Sequence, residues 1–137
     1  MSISESRIQR GQVYALDIDE IDAQHGMLFD YLDALESAMD AEESWVVVHD
    51  IIEKLGHWAA IHFSVEEALM SILDFPEAAR HAADHRAFEQ GLEARRANLL
   101  RHDLARDTAE WLRAWLVEHI GIADRKYAEF FRRRVPR

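Results

Sequence analysis

The sequence predicts an all-α fold, an up-down-up-down four-helix bundle with an N-terminal arm. The chain contains only 5 glycines and 2 prolines in 137 residues, too few turn-forming residues for the many hairpins of an all-β fold. Apolar residues instead recur at spacings of three and four along four long segments, which is the period of an amphipathic helix. The length suits a single core. We therefore expect one domain over residues 1–137, in which residues 1–17 form the arm.

The four segments with this pattern predict helices over about residues 19–40, 44–73, 77–99 and 104–131. Pro76 separates the second from the third, because proline cannot continue a helix but suits the first turn of the next one. The links between the segments are short and polar. Helices of similar length joined in this way pack as antiparallel neighbours around one axis.

The composition excludes several classes of partner and site. The formal net charge of −10 repels nucleic-acid phosphates and anionic membrane surfaces, and it discourages self-association. The absence of cysteine excludes disulfides, thiolate zinc sites and cysteine-bound iron–sulfur clusters. No apolar stretch is long enough to span a bilayer, and the N-terminus lacks the apolar core of a signal peptide. We expect a cytoplasmic monomer with no nucleic-acid partner and no membrane insertion.

The histidines are the residues that point to chemistry. A single histidine on an apolar helix face is more often a hydrogen-bonded core residue than a ligand. Here five of the 8 histidines fall on the predicted apolar faces of all four helices: His25, His62, His81, His85 and His119. His81 and His85 lie one helical turn apart, as do His62 and Glu66, so each pair can point at one centre. The pattern predicts a metal site.

Two carboxylates complete the predicted ligand set. Five imidazoles with Glu66 and Asp124 are too many ligands for one ordinary ion, but they suit two ions that the carboxylates bridge. Asp124 follows His119 by five residues, a turn of about 140° on an ideal α-helix, which places it at the edge of the apolar stripe. Glu67 and Asp22 are the alternatives, although their positions better suit groups that orient a ligand imidazole.

The motifs around these residues resemble those of the hemerythrin family over about residues 17–130. The matching segments are Ile21-Asp22-Ala23-Gln24-His25, His62-Phe63-x-x-Glu66-Glu67, Phe75-Pro76, His81-x-x-x-His85 and His119-Ile120-x-x-x-Asp124. The resemblance implies two iron ions with an oxo or hydroxo bridge, both Fe²⁺ in the deoxy form. It also implies that His81, His85 and His119 bind one iron, that His25 and His62 bind the other, and that Glu66 and Asp124 bridge the pair.

The function that the resemblance implies is reversible dioxygen binding, for oxygen carriage, storage or delivery, with no enzymatic reaction. The iron with only two histidines would keep an open position for dioxygen. Apolar side chains near the ligands would wall this pocket and keep it dry; they are Leu116, Trp115, Trp111, Trp58 and Ile120. The partners would be dioxygen and an oxygen-consuming enzyme or a reductant.

Several other functions are weighed against this interpretation. A ferritin-like carboxylate enzyme needs Glu-x-x-His on two helices, and no glutamate here is followed by histidine at the third position. The dipeptides His49-Asp50 and His102-Asp103 are weak evidence for a metal phosphohydrolase. An oxygen, nitric oxide or iron sensor on the same fold stays open, as does peroxide or iron detoxification at the same site.

Overall fold

Four antiparallel helices make up the computed structural model, which describes Leu16, residues 18–97 and residues 102–134, without the side chains of residues 102–105. Helix α1 spans Asp19–Asp40, α2 spans Trp45–Ile72 and α3 spans Ala78–Arg96. Helix α4 has three consecutive parts, which are His102–Glu118, the π-helix His119–Asp124 and Arg125–Arg134. The described residues form no strand, and the fold is the all-α bundle that the sequence predicts.

The helix ends lie close to the predicted ones in the described part of the chain. Helix α4 begins two residues earlier than expected and continues to Arg134 rather than to residue 131. The predicted arm, apart from Leu16, and the predicted end of the third helix at residues 98–99 lie outside the described residues. Leu16 is fully buried, and its backbone N–H donates to Asp22 Oδ1 at 2.9 Å.

Two tight turns reverse the chain, one between α1 and α2 and the other between α2 and α3. Glu42 and Asp74 each adopt a left-handed backbone with φ of 55°. The residue after each one donates its N–H back to the last turn of the preceding helix, from Glu43 to Ala38 and from Phe75 to Met70, both at 2.9 Å. This pattern satisfies carbonyls that a helix end leaves unpaired. The turn at Asp74 places Phe75 in the core beside the start of α3.

The core is aliphatic at one end of the bundle and polar at the other. Leu35, Ile52, Leu55 and Leu112 are fully buried near the α1–α2 turn, and burial of each such side chain contributes about 1.5–3 kcal/mol. The buried polar side chains lie mainly towards the α2–α3 turn. No helix among the described residues is long and apolar enough to cross a membrane.

A close contact between α3 and α4 requires a glycine at position 91. A Cβ atom there would lie 2.7 Å from Trp111 Cζ2. The Trp111 ring cannot easily move, because it stacks on Phe88 and lies 4.1 Å from the Arg95 guanidinium. We expect Gly91→Ala to lower the free energy of unfolding by about 1–3 kcal/mol through overpacking, measured by urea denaturation.

The matched control is Gly26→Ala, because a Cβ atom at Gly26 has no heavy atom within 4 Å. An alanine inside a helix with free space around it stabilises the protein by about 0.5–1 kcal/mol. Equal effects of the two substitutions would contradict the packing argument.

Candidate metal centre

The structure brings all seven predicted ligand residues together in the interior of the bundle. Every helix contributes: α1 one, α2 two, α3 two and α4 two. Their exposed fractions range from 0% to 7%; the residues are His25, His62, Glu66, His81, His85, His119 and Asp124. Buried charged and imidazole groups on this scale need partners or a metal ion.

The seven side chains form two adjacent groups that share both carboxylates. One group contains the three histidines His81, His85 and His119, and the other contains His25 and His62. Glu66 and Asp124 belong to both groups, and within each group the ligand atoms all lie within 4.8 Å of one another. Asp124 Oδ1 lies 2.8 Å from His81 Nε2, while its Oδ2 lies 2.9 Å from His25 Nε2. One carboxylate therefore reaches both halves.

The donor set fits a pair of metal ions. Within the described part of the chain, both oxygens of Glu66 and of Asp124 are buried without a hydrogen-bond partner, as are the Nε2 atoms of three of the histidines. So many unpaired atoms in one cluster require an explanation, and metal ions would supply the missing bonds. Imidazole nitrogen and carboxylate oxygen suit iron and several other divalent ions.

The backbone of α4 explains how Asp124 reaches the site. The sequence places Asp124 at the edge of the apolar stripe if the helix is α throughout, but residues His119–Asp124 form a π-helix. Because a π-helix closes its hydrogen bonds between residues five apart, His119 and Asp124 lie one turn apart and point the same way. Asp124 is fully buried, so the edge position expected from α geometry is wrong.

Comparison with known proteins agrees with this arrangement. The family model described as the hemerythrin HHE cation binding domain matches residues 16–131. The chain belongs to the hemerythrin family.

Individual relatives carry the same family name. A bacteriohemerythrin of Clostridium acetobutylicum is 25% identical over 122 residues, covering 85% of this chain and 95% of that protein. A bacteriohemerythrin of Stenotrophomonas maltophilia is 30% identical over 118 residues, covering 83% of this chain and 74% of that protein. A hemerythrin-like protein of Naegleria gruberi is 29% identical over 112 residues, covering 80% of this chain and 81% of that protein.

Two polar side chains orient ligand imidazoles of the hemerythrin site from outside. His62 Nδ1 donates to Gln24 Oε1 at 2.5 Å, and His85 Nδ1 donates to Glu67 Oε2 at 2.9 Å. Because these acceptors fix the proton on Nδ1, the lone pair of each Nε2 faces the interior. Glu67 is thus an orienting group rather than a ligand, and Asp22 instead accepts the Leu16 N–H.

Gln24 lies in the matched motif that ends at His25, but sequence reasoning assigned it no role, because its contact with His62 depends on how α1 and α2 cross. Spacing along one helix gives no signal for such a contact. The His49 ring, from the weak phosphohydrolase alternative, lies 3.8 Å from Glu53 on the surface of α2. The side chain of His102 lies outside the described residues.

Aromatic side chains form the wall of the site on the three-histidine side. Trp115 stacks on His119 with ring centroids 4.3 Å apart. Phe63 stacks on His85 at 3.9 Å and also contacts the rings of His62 and His119. Sequence reasoning missed Phe63, although its place directly after a ligand histidine on a helix with a wide apolar face was a usable signal.

The other predicted pocket residues occupy different positions. Leu116 and Ile120 are buried in the main core cluster. Trp58 is half-buried, and its indole N–H donates to the Gln24 backbone carbonyl at 3.3 Å, beside the two-histidine half. Trp111 lies one turn before Trp115 on α4 and stacks on Phe88. Trp58 and Trp115 therefore flank opposite halves of the site.

The metal-free site separates its histidines into protonated and neutral ones. Burial alone would lower the pKa of His81, but the nearby carboxylates of Asp124 and Glu66 outweigh it and raise the pKa to about 9. Burial and the neighbouring His25 lower the pKa of His62 to about 3. Burial and the nearby Asp124 also raise the pKa of Glu66. At pH 7, His81 holds a proton, whereas His62 presents a lone pair.

These shifts predict that metal loading releases protons. A metal ion must displace the His81 proton, which is bound at every pH below about 9, so the apparent affinity should rise with pH between 7 and 9. The rise should approach about tenfold per pH unit for each proton released. Calorimetric titration in two buffers of different ionisation enthalpy counts the protons. Affinity that is independent of pH, with no proton release, would contradict the assigned protonation.

Tyr127 is a fully buried residue next to the site, and its hydroxyl has no hydrogen-bond partner among the described residues. Burial and the charges of Glu66 and Asp124 raise its pKa. Because the hydroxyl makes no bond that could be lost, we expect Tyr127→Phe to leave the stability of the metal-free protein unchanged or raise it by up to about 1 kcal/mol. Thermal unfolding measures this, with Tyr31→Phe as the control. A loss greater than about 1 kcal/mol would mean that the hydroxyl has a partner.

Proposed function

We propose that this hemerythrin binds dioxygen reversibly at a non-haem di-iron centre, for oxygen carriage, storage or delivery. The observation that supports this most is the unequal division of the site. Three histidines face one half and two face the other, and both halves share Glu66 and Asp124. Two ions held by these residues would differ in the number of protein ligands, and the ion with fewer would have room for a small external ligand.

The protein's own residues would hold the two ions and limit what they can do. His81, His85 and His119 would saturate one ion, His25 and His62 would bind the other, and Glu66 with Asp124 would bridge them. Iron, when bound, supplies electrons that dioxygen can take up and return. Neutral imidazoles favour reversal of this electron transfer, because an anionic ligand set would stabilise the oxidised ions more strongly.

Exclusion of water is the second contribution of the chain. The seven ligands are at most 7% exposed, and the apolar Phe63 ring lies against the rings of His62, His85 and His119. Water and protons that reached the site would promote irreversible oxidation, so a dry interior favours release of intact dioxygen. Trp58 with its bond to the Gln24 carbonyl closes the bundle beside the two-histidine half.

We further propose that the protein is a cytoplasmic monomer and a binding protein rather than an enzyme. The net charge of −10 opposes self-association and contact with nucleic acid or anionic membranes. Its partners would be dioxygen and an oxygen-consuming enzyme or a reductant that restores ferrous iron. The names of the bacterial relatives, bacteriohemerythrin, are consistent with an oxygen-binding role.

The proposal is tested by stoichiometry. Anaerobic titration with Fe²⁺ should end at two ions per chain, and an oxygen electrode should then register uptake of one dioxygen per iron pair, which returns to solution under argon. His119→Ala, which removes one of the three histidines from its half, should reduce both numbers. Oxygen uptake that continues beyond one equivalent would indicate turnover and would contradict simple carriage.

A further inference from the structure

An open groove adjoins the three-histidine half of the site. It lies between the first turns of α3 and the π-helix of α4, and its volume is about 360 Å³. Two of the ligand histidines, His81 and His119, line its inner wall together with Phe75 and Trp115. The groove therefore brings solvent to the outer edges of two ligand rings, while the carboxylates between the two halves stay fully buried.

Both histidines are almost fully buried. His81 is 4% exposed and His119 is 7% exposed, while His85, Glu66 and Asp124 are fully buried. His81 Nε2 is buried and lies 2.8 Å from Asp124 Oδ1, so the His81 ring belongs both to the groove wall and to the ligand cluster.

The outer rim of the groove is charged. Three carboxylates line it, from Glu77, Asp84 and Glu118, and two cations, Arg80 and Lys126, stand among them. Carboxylate oxygens attract hydrated divalent cations and exchange rapidly with them. Exposed glutamate and aspartate at the mouth, followed by imidazole at the inner wall, form a gradient from transient to strong ligands.

Two hydrogen bonds hold α1 and α2 together beside the two-histidine half. His62 is 1% exposed, its Nδ1 is bonded to Gln24, and Trp58 is bonded to the Gln24 carbonyl from α2. A hydrated ion that entered between Gln24 and Trp58 would have to break these contacts.

We propose that the groove between α3 and the π-helix is the route by which ferrous ions reach the metal centre. This inference rests on the proposed metal site but not on its reaction with oxygen. The rim carboxylates concentrate Fe²⁺ at the mouth, Arg80 and Lys126 moderate this attraction, and His81 with His119 receives the ion. Loading rate, rather than final occupancy, is the property that the groove controls.

The test measures the rate of anaerobic Fe²⁺ uptake by stopped flow in single-charge variants, with Co²⁺ as a redox-stable probe. Glu118→Gln should slow uptake about threefold at low ionic strength, and Lys126→Gln should accelerate it by about the same factor. Both differences should shrink in high salt. All variants should still reach two ions per chain at equilibrium.

Glu20→Gln is the matched control, because it removes the same charge from an exposed residue on α1 only five residues before His25. It should leave the loading rate within about 1.5-fold of the unmodified protein if the route lies at the groove. Equal rates for all three variants, with two ions bound, would overturn the route and leave the metal site intact. No ion bound in the unmodified protein would overturn the proposed function as well. Unchanged loading with altered reduction of the ferric protein by dithionite would reassign the groove to electron donors.

Discussion

Glu66→Gln is expected to abolish stable binding of both metal ions. Glu66 belongs to both halves of the site, and an amide cannot bridge two cations as a carboxylate does. The loss of affinity should exceed the roughly 10- to 100-fold penalty for removing a group that merely orients a ligand. Metal content after gel filtration and a competition titration with a chelator measure the effect.

Glu67→Gln is the matched control, since it makes the same chemical change one residue along α2. Glu67 Oε2 accepts a hydrogen bond from His85 Nδ1 at 2.9 Å and forms an ion pair with the Arg86 guanidinium at 2.7 Å. The amide oxygen can still accept that proton, so affinity should fall by at most about 10- to 100-fold while two ions remain bound at saturation. A greater loss of metal affinity in Glu67→Gln than in Glu66→Gln would contradict the bridging role of Glu66.

Stability of the metal-free proteins separates binding from folding. The buried carboxylates of Glu66 and Asp124 repel each other. Burial raises the pKa of Glu66, and the charge of Asp124 raises it further. Glu66→Gln removes this repulsion and keeps the side-chain volume, so we expect the metal-free variant to unfold at the same or a higher urea concentration. Its loss of metal would then be a loss of ligand rather than of structure.

Phe63→Ala is expected to produce the largest loss of stability. Phe63 is 1% exposed and packs against the rings of His85, Phe88 and Trp115. Removing a buried phenylalanine costs about 3–5 kcal/mol, because apolar burial is lost and a cavity remains. Urea denaturation of the metal-free protein measures the difference.

Two control substitutions should cost less stability than Phe63→Ala. Phe63→Leu keeps most of the apolar volume and should cost less than about 1.5 kcal/mol. Ile72→Ala removes an apolar side chain that is 74% exposed at the end of the same helix, and it should change stability by less than about 0.5 kcal/mol. A Phe63→Ala protein as stable as Ile72→Ala would contradict the packing described for the site wall.

The sequence predicts the helices and most of the ligand geometry because both follow from local spacing. His81 and His85, like His62 and Glu66, are one turn apart on regular α-helix, so their shared direction needs no tertiary information. Proline at position 76 marks the α2–α3 turn for the same reason. These features depend on residues within one element.

The features that sequence spacing did not predict depend on contacts between elements or on an irregular backbone. The π-helix at His119–Asp124 contains no proline, and the spacing of apolar residues alone does not predict it. The Gln24–His62 bond requires the crossing of α1 and α2, and the Phe63–His85 stack requires the approach of α2 and α3. The groove at His81 and His119 likewise exists only after α3 and α4 pack.

The most direct test of the proposed function follows optical spectra of the ferrous-loaded protein through repeated cycles of oxygen addition and removal. Reversible binding predicts a visible absorption band that appears with oxygen, disappears under argon and returns with the same amplitude, and that His119→Ala lacks. A spectrum that changes once with oxygen and then stays ferric through later cycles would contradict reversible binding.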